Sequence, residues 1–240
     1  LPTYFSKYIE PLRKALRKTT SNLVPVRIIN QVTTVCRLLD GLLPKTESNL
    51  DVVLNVFAFA LIWAMGGALK VESRSKFHEI FTEIVKEVEI VSPEKLVEAS
   101  NNNVEVTVFD FYYDLNSKSW KTWSSRVEPY YSNAIGNGPG ETPWSSIYIN
   151  TVSSTQLTTL ISTSVSNRHP VLLVGNTGTG KSAVIKQYLS TVGDNVTSCT
   201  INMNYYVDSA SFQDQIECEI DRRSGTMFGP PAGKTKIFFV

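Results

Sequence analysis

Residues 175–182, Gly-Asn-Thr-Gly-Thr-Gly-Lys-Ser, constrain the fold more than any other stretch. They match G-x-x-x-x-G-K-[ST] at every specified position, and that motif needs a strand before it and a helix after it. The setting agrees: Pro170 to Val174 reads as an apolar strand, and Val184, Ile185 and Leu189 place one apolar face on the helix that follows. Each residue type has a chemical reason. Glycines let successive main-chain N–H groups turn inward around phosphate oxygens, and a helix starting near Gly180 adds the partial positive charge of its N-terminus. Lys181 is placed to reach the β- and γ-phosphates, and the Ser182 hydroxyl to ligate Mg²⁺. The candidate binding residues are therefore Gly175, Asn176, Thr177, Gly178, Thr179, Gly180, Lys181 and Ser182, with ATP or ADP and Mg²⁺ as cofactors. The plainer alternative is a Gly/Thr-rich surface turn ahead of an ordinary helix.

Upstream, residues 1–95 read as helical. Tyr8, Ile9, Leu12 and Leu16 recur at helical spacing, Arg13 to Lys18 suit a nearby C-terminus, and Pro25 breaks the pattern. A second helix carries Ile29, Val32, Cys36, Leu39 and Leu43. A third is the apolar run from Leu50 to Leu69, ending at Gly66-Gly67, and a fourth, after Ser73, carries Phe77, Ile80, Phe81, Ile84 and Val88. The third run is interrupted by Asp51 and Asn55 and falls short of the roughly 20 residues a bilayer requires, so it reads as a core helix. Together these predict a helical bundle.

After Asn101-Asn102-Asn103, alternation at Val104, Val106 and Val108 predicts a strand. Asp114 to Lys118 predicts a turn, and Trp120 and Trp123 complete a hairpin with aromatic cross-strand pairing, more suited to packing than to stacking nucleobases. Residues 132–144 form a Gly/Pro-rich linker. Beyond it come a short extended piece at 145–149, a helix over 154–164, and the phosphate-loop unit. A strand at Thr197–Met203, a helix over Asp208–Arg223 with Phe212, Ile216 and Ile220 inward, a loop over 224–235 and a strand at 236–240 follow. The predicted division is 1–95, 96–144 and 145–240.

Charge adds little. Lys plus Arg number 23 against 22 Asp plus Glu, so the net charge of +1 gives no sign of a nucleic-acid or membrane partner. Cys36, Cys199 and Cys218 are too far apart in sequence for a metal site and are expected to be buried thiols in a reducing compartment; His78 and His169 stand alone. Gly229 to Thr235, GPPAGKT, imitates a second phosphate loop. Its glycines are one residue too close, and Pro230 and Pro231 lack the N–H groups a phosphate needs, which makes it a connecting loop. Hydrolysis also requires an acid at the end of a neighbouring apolar strand. Ile237 to Val240 supplies such a strand, and the position for the acid lies past Val240, so binding is supported and the catalytic residues are unknown.

FAFALIWAMGGAL at 57–69, VFDFYYD at 108–114, HPVLLVGNTGTGKS at 169–182 and IDRRSGTMFGPPAGK at 220–234 followed by IFFV resemble, in order and spacing, a dynein heavy chain. The matching region runs from the helical lid of the second AAA+ module into the large subdomain of the third. The resemblance implies an incomplete P-loop NTPase of the AAA+ type: a three-layer α/β sandwich preceded by an α-helical lid bundle and a small β-hairpin. The wording is closer to axonemal than cytoplasmic dyneins, which implies the cytoskeleton of a cilium or flagellum. It also implies as partners the neighbouring AAA+ modules, intermediate and light chains, and microtubules through other regions, with no nucleic acid and no membrane. Asn176 stands where proline is frequent in the family. The missing Met suggests a piece of a longer chain. In the family's sheet order, 5-1-4-3-2, the strand at 171–174 would then lose both neighbours and the piece would be of low stability. The alternatives are a module that holds nucleotide without splitting it, or an unrelated P-loop ATPase or kinase.

Overall fold

Pro11 sets the irregular start of the chain in the computed structural model, which describes residues 2–88, 106–130, 143 and 147–240. A single α-turn, α1 (Pro2–Tyr4), passes through a π-helical stretch at Phe5–Ile9 into α2 (Glu10–Thr19). Pro11 has no N–H for the carbonyl four residues back, and the widened turns lie just ahead of it. Tyr8, Ile9, Leu12 and Leu16 are buried along one face, as their spacing predicts. The helix closes where the Thr20 N–H and hydroxyl both donate to the Leu16 carbonyl, at 3.0 and 2.8 Å.

The segment after α2 is pinned by an antiparallel bridge between Asn22 and Leu69, with Leu23 N–H donating to Ala68 O and Lys70 N–H to Ser21 O. α3 (Ile28–Leu42) then buries Val35, Leu38 and Leu39. Ile29, 64 % exposed, and Cys36 point outward, which corrects the predicted stripe. Apolar residues occupy nearly every side of α3, and the face the fold buries is the one at Val35, Leu38 and Leu39. α4 (Leu50–Gly66) is capped by Asn49, whose side chain accepts from the Asp51 N–H, and is buried on every side from Val52 onward. α5 (Arg74–Ile84) follows a 3₁₀ turn at Val71–Ser73 and buries Phe77 and Phe81. Among the described residues no helix is long and apolar enough to cross a membrane.

The expected strand around Val106 and Val108 is instead a 3₁₀ turn, Val108–Asp110, and Val104 lies outside the described residues. A capping box explains it: the Thr107 side chain accepts at the third position while Asp110 accepts from the Thr107 N–H, at 2.8 Å. Phe109, in this turn, lies where only glycine on α4 admits it, since a Cβ at Gly66 would fall 2.4 Å from the ring. Next come β1 (Phe111–Asp114) and β2 (Ser119–Thr122), antiparallel, with Tyr113 opposite Trp120 and their rings 5.5 Å apart. The Trp120 indole donates to Asn55 Oδ1 at 2.7 Å, so the polar interruption of α4 serves the hairpin. Phe109, Phe111, Trp120 and Trp123 are buried, so the aromatic cluster is core.

The hairpin turn carries a titration signature. Hydrogen bonds from Lys121 first, then from the Ser117 hydroxyl and the Asn116 N–H, hold the Asp114 carboxyl at about 2, below its ordinary 3.8. A carboxyl depressed in the folded state contributes stability above its unfolded value and loses it as pH falls toward the folded one. The Asp114 carboxyl resonance is therefore expected to titrate near 2, and Asp114→Asn to lessen the fall in melting temperature between about pH 4 and pH 2. A midpoint at the ordinary value would remove the ion pair from the solution structure.

α6 (Val152–Ser166) is longer than predicted because Thr151 and Ser154 cap each other reciprocally at its start. Its Gln156 is buried and donates to the Phe109 carbonyl at 3.0 Å. The chain divides into two units, Leu1–Val184 and Ile185–Val240. The linker at 132–144 lies outside the described residues except for Pro143, and residues 147–150 carry no regular structure.

In the second unit β3 (Val196–Thr200) pairs in parallel with the last strand, Thr235–Phe239. α8 (Ser209–Glu217) starts at Asp208, which accepts from the Ser211 N–H at 2.8 Å. It ends earlier than the predicted Arg223, and the predicted loop at 224–235 holds part of an antiparallel hairpin, β4 (Asp221–Ser224) with β5 (Met227–Gly229). Gly225, at φ +57°, makes the turn that a continued helix could not. The final strand, Thr235–Phe239, is β6. Cys218 is exposed and Cys199 half-buried, so the expectation of buried thiols fails for Cys36, on the outward face of α3, and for Cys218, at the C-cap of α8.

Candidate functional site

The loop at 175–182 closes on itself through one side chain. Lys181 opens α7 (Lys181–Thr191), and its ammonium donates to the carbonyls of Gly175 at 2.9 Å and Asn176 at 2.6 Å and to Thr179 Oγ1 at 3.3 Å. The Thr179 hydroxyl in turn donates to the Asn176 carbonyl at 2.9 Å. The charge therefore sits over the loop, and among the described residues no carboxylate pairs with it.

Turning the chain this tightly takes two left-handed residues, Gly178 at φ +81° and Gly180 at φ +79°. Val184 N–H then donates to the Gly180 carbonyl at 3.0 Å, the bond that starts α7. Apart from the turn at Thr177–Gly178, which engages the Thr179 N–H, no protein acceptor among the described residues takes the main-chain N–H groups from Gly175 to Ser182, and residues 175–180 are exposed. Free donors on a tight loop at the start of an 11-residue helix form a concavity of positive potential, the arrangement that receives a phosphate. Ser182 lies exposed in the first turn of α7, where its hydroxyl is accessible to a metal ion held on such a phosphate. Val184 and Tyr188 are buried beneath the helix, while Ile185 and Leu189 are half-buried; the sequence reading missed Tyr188.

The segment before the loop is not a strand of any ladder, which corrects the strand predicted at Pro170–Val174. Val171, Leu172 and Val174 are exposed by 42, 84 and 44 %. The physical reason is that no backbone among the described residues offers 171–174 a ladder of N–H and C=O partners; β3 and β6 pair with each other.

GPPAGKT at 229–235 is a connection, as read from its prolines. The Pro230 carbonyl accepts from Arg223 Nε and Nη2 at 3.1 and 2.5 Å, Lys234 N–H donates to the Pro231 carbonyl, and the segment enters β6, not a helix. No cluster of three or more His, Cys, Asp or Glu side chains suited to a metal occurs among the described residues. What sequence reasoning missed at the loop is the role of Thr179 as a relay between Lys181 and the Asn176 carbonyl. No spacing signal could have given it, because it depends on the φ values of the flanking glycines.

Residues 1–125 match a family model described as the dynein heavy chain AAA lid domain, and residues 137–240 one described as the P-loop containing dynein motor region. The full chain is 31 % identical to the dynein beta chain of the flagellar outer arm of Chlamydomonas reinhardtii and covers 5 % of it. It is 27 % identical over its whole length to the ciliary dynein beta chain of Heliocidaris crassispina and to dynein axonemal heavy chain 9 of Homo sapiens, again covering 5 % of each.

Proposed function

The chain belongs to the dynein heavy chain family, with a helical AAA+ lid and a P-loop α/β region, and on that premise we propose that it binds ATP or ADP with Mg²⁺ at residues 175–182. Membership of the family implies nucleotide binding in general; the ligand, the metal and the residues are our reading. Main-chain N–H groups of Gly175 to Gly180 receive the α- and β-phosphates, Lys181 the β- and γ-phosphates, and Ser182 ligates the metal. The observation that carries this reading is the loop itself, with most of its main-chain donors untaken and its one ammonium resting on its carbonyls.

In the larger protein, residues 1–95 serve as the lid of one AAA+ module, 96–144 as the hairpin and linker, and 145–240 as the beginning of the large subdomain of the next. The relatives named above are flagellar, ciliary and axonemal dyneins, and we place the work of this protein in a cilium or flagellum. There its nucleotide state would bear on the motor ring through the neighbouring AAA+ modules, with intermediate and light chains as companions and microtubules as the track.

The test is a titration of the chain with a fluorescent ATP analogue in Mg²⁺ and in EDTA. Binding is expected in both, tighter with the metal by about tenfold or more, which is about 1.4 kcal/mol. Ser182→Ala is expected to bring the two values together while leaving the EDTA affinity unchanged. A metal effect that survives the substitution would take the ligand role away from Ser182, and absence of binding in any condition would overturn the proposal.

A further inference from the structure

Away from the loop, the first unit holds a cleft of about 580 Å³ between α2, the pinned segment at 20–27 and the start of α3. Its floor is apolar: Leu16, Met65 and Leu69 line it and are 6, 3 and 2 % exposed. Its rim is cationic, with Arg13, Arg17 and Arg27 all lining it. Arg13 is held by a two-pronged bond to Glu10, at 3.0 and 2.7 Å, so its orientation is fixed and its charge is partly answered. Among the described residues the guanidinium groups of Arg17 and Arg27 have no hydrogen-bond or ion-pair partner; the Arg27 carbonyl accepts from the Asn30 and Gln31 N–H groups at the start of α3.

The local charge is not a sample of the whole. Residues 10–27 carry Arg13, Lys14, Arg17, Lys18 and Arg27 against Glu10 alone, in a chain whose net charge is +1. The usual fate of such a helix face is solvation. Here the cations surround a concavity with an apolar floor, and Ile29, which also lines it, is 64 % exposed at its edge. The walls are preformed as well, because the Asn22–Leu69 bridge and the bonds between Ser21 and Ser73 fix the segment that closes one side. A preformed site loses less on binding than one that must be ordered first.

We propose that this cleft docks an acidic peptide segment, with carboxylates on Arg17 and Arg27 and apolar side chains on the Leu16–Met65–Leu69 floor. Charge complementarity selects the sign of the partner, and the floor selects a peptide. A nucleic acid would want aromatic rings to stack on, and the lining residues include none. A membrane surface would not enter a concavity. The inference does not depend on the nucleotide reading.

The experiment is fluorescence anisotropy of a labelled peptide alternating Glu and Leu, added to the full chain. Saturable binding is expected, weakened at least about tenfold by Arg17→Glu or Arg27→Glu. Ile29→Ser is expected to weaken it severalfold, and Lys181→Ala to leave it unchanged. The thermal transition of Arg27→Glu should match that of the parent, since its guanidinium has no partner to lose, whereas Arg17→Glu, in the last turn of α2, is expected to lower it slightly. No saturable binding, an equal affinity for polyglutamate, or tighter binding of an oligouridylate or of phosphatidylserine vesicles would each overturn the proposal.

Discussion

Lys181→Ala is expected to lower the affinity of the chain for ATP by at least about a hundredfold, equivalent to about 2.7 kcal/mol. The ammonium has three N–H donors, and without nucleotide they are taken up by Gly175 O, Asn176 O and Thr179 Oγ1. Exchanging neutral carbonyls for charged phosphate oxygens is a net gain because charge-assisted bonds are worth about 1.5–3 kcal/mol each, against about 1 for neutral ones. Alanine forfeits that gain and leaves the main-chain donors to hold the anion alone. Calorimetric titration with ATP and ADP reads the effect. Arginine should not rescue it, since a planar fork on a stiffer head replaces a compact charge. An affinity within threefold of the parent would show that the lysine merely braces the loop.

The second large effect is on stability. Phe57 on α4 is fully buried, and its ring lies 5.8 Å from Tyr4, 5.3 Å from Phe5 and 6.3 Å from Tyr8. It is the residue through which the irregular first turns are held to the central helix. Phe57→Ala should therefore destabilise the first unit by about 3–5 kcal/mol, from lost transfer energy and an unfilled cavity. Urea unfolding followed by far-ultraviolet circular dichroism measures it, with Val71→Ala, at a side chain 76 % exposed, as the near-neutral comparison. A loss below about 1 kcal/mol would mean that residues 2–9 do not dock on α4 in solution.

How far the sequence could be read depended on how many physical constraints met at each position. The phosphate loop was legible because glycines, lysine and hydroxyl are each demanded by separate geometry, and because only one spacing serves them all. The stripe at Tyr8, Ile9, Leu12 and Leu16 was legible because Lys and Arg fill the opposite face. α3 was not: with apolar residues on nearly every side, helical periodicity permits several faces, and the neighbours chose Val35, Leu38 and Leu39. The 3₁₀ turn at Val108–Asp110 was hidden because Val106 and Val108 alternate like a strand, while the Thr107–Asp110 box outweighs that alternation. The β4–β5 hairpin was hidden by Ile220, which continues the helical spacing of Phe212 and Ile216, although Ser224-Gly225 marks a turn. The segment at 171–174 shows the reverse limit. Its residues specify a strand, and a strand is realised only where a second backbone offers it partners.

Gly178 and Gly180 share a property that concerns handedness. Each has positive φ, and nothing lies within 4 Å of where a Cβ would stand. Space is therefore not what excludes other residues there; the chirality of L-amino acids is. A D-alanine, whose permitted backbone angles are the mirror image, would favour the φ of either position, and the nest of amides would keep its curvature while surrendering the flexibility that an achiral residue brings to the unfolded chain.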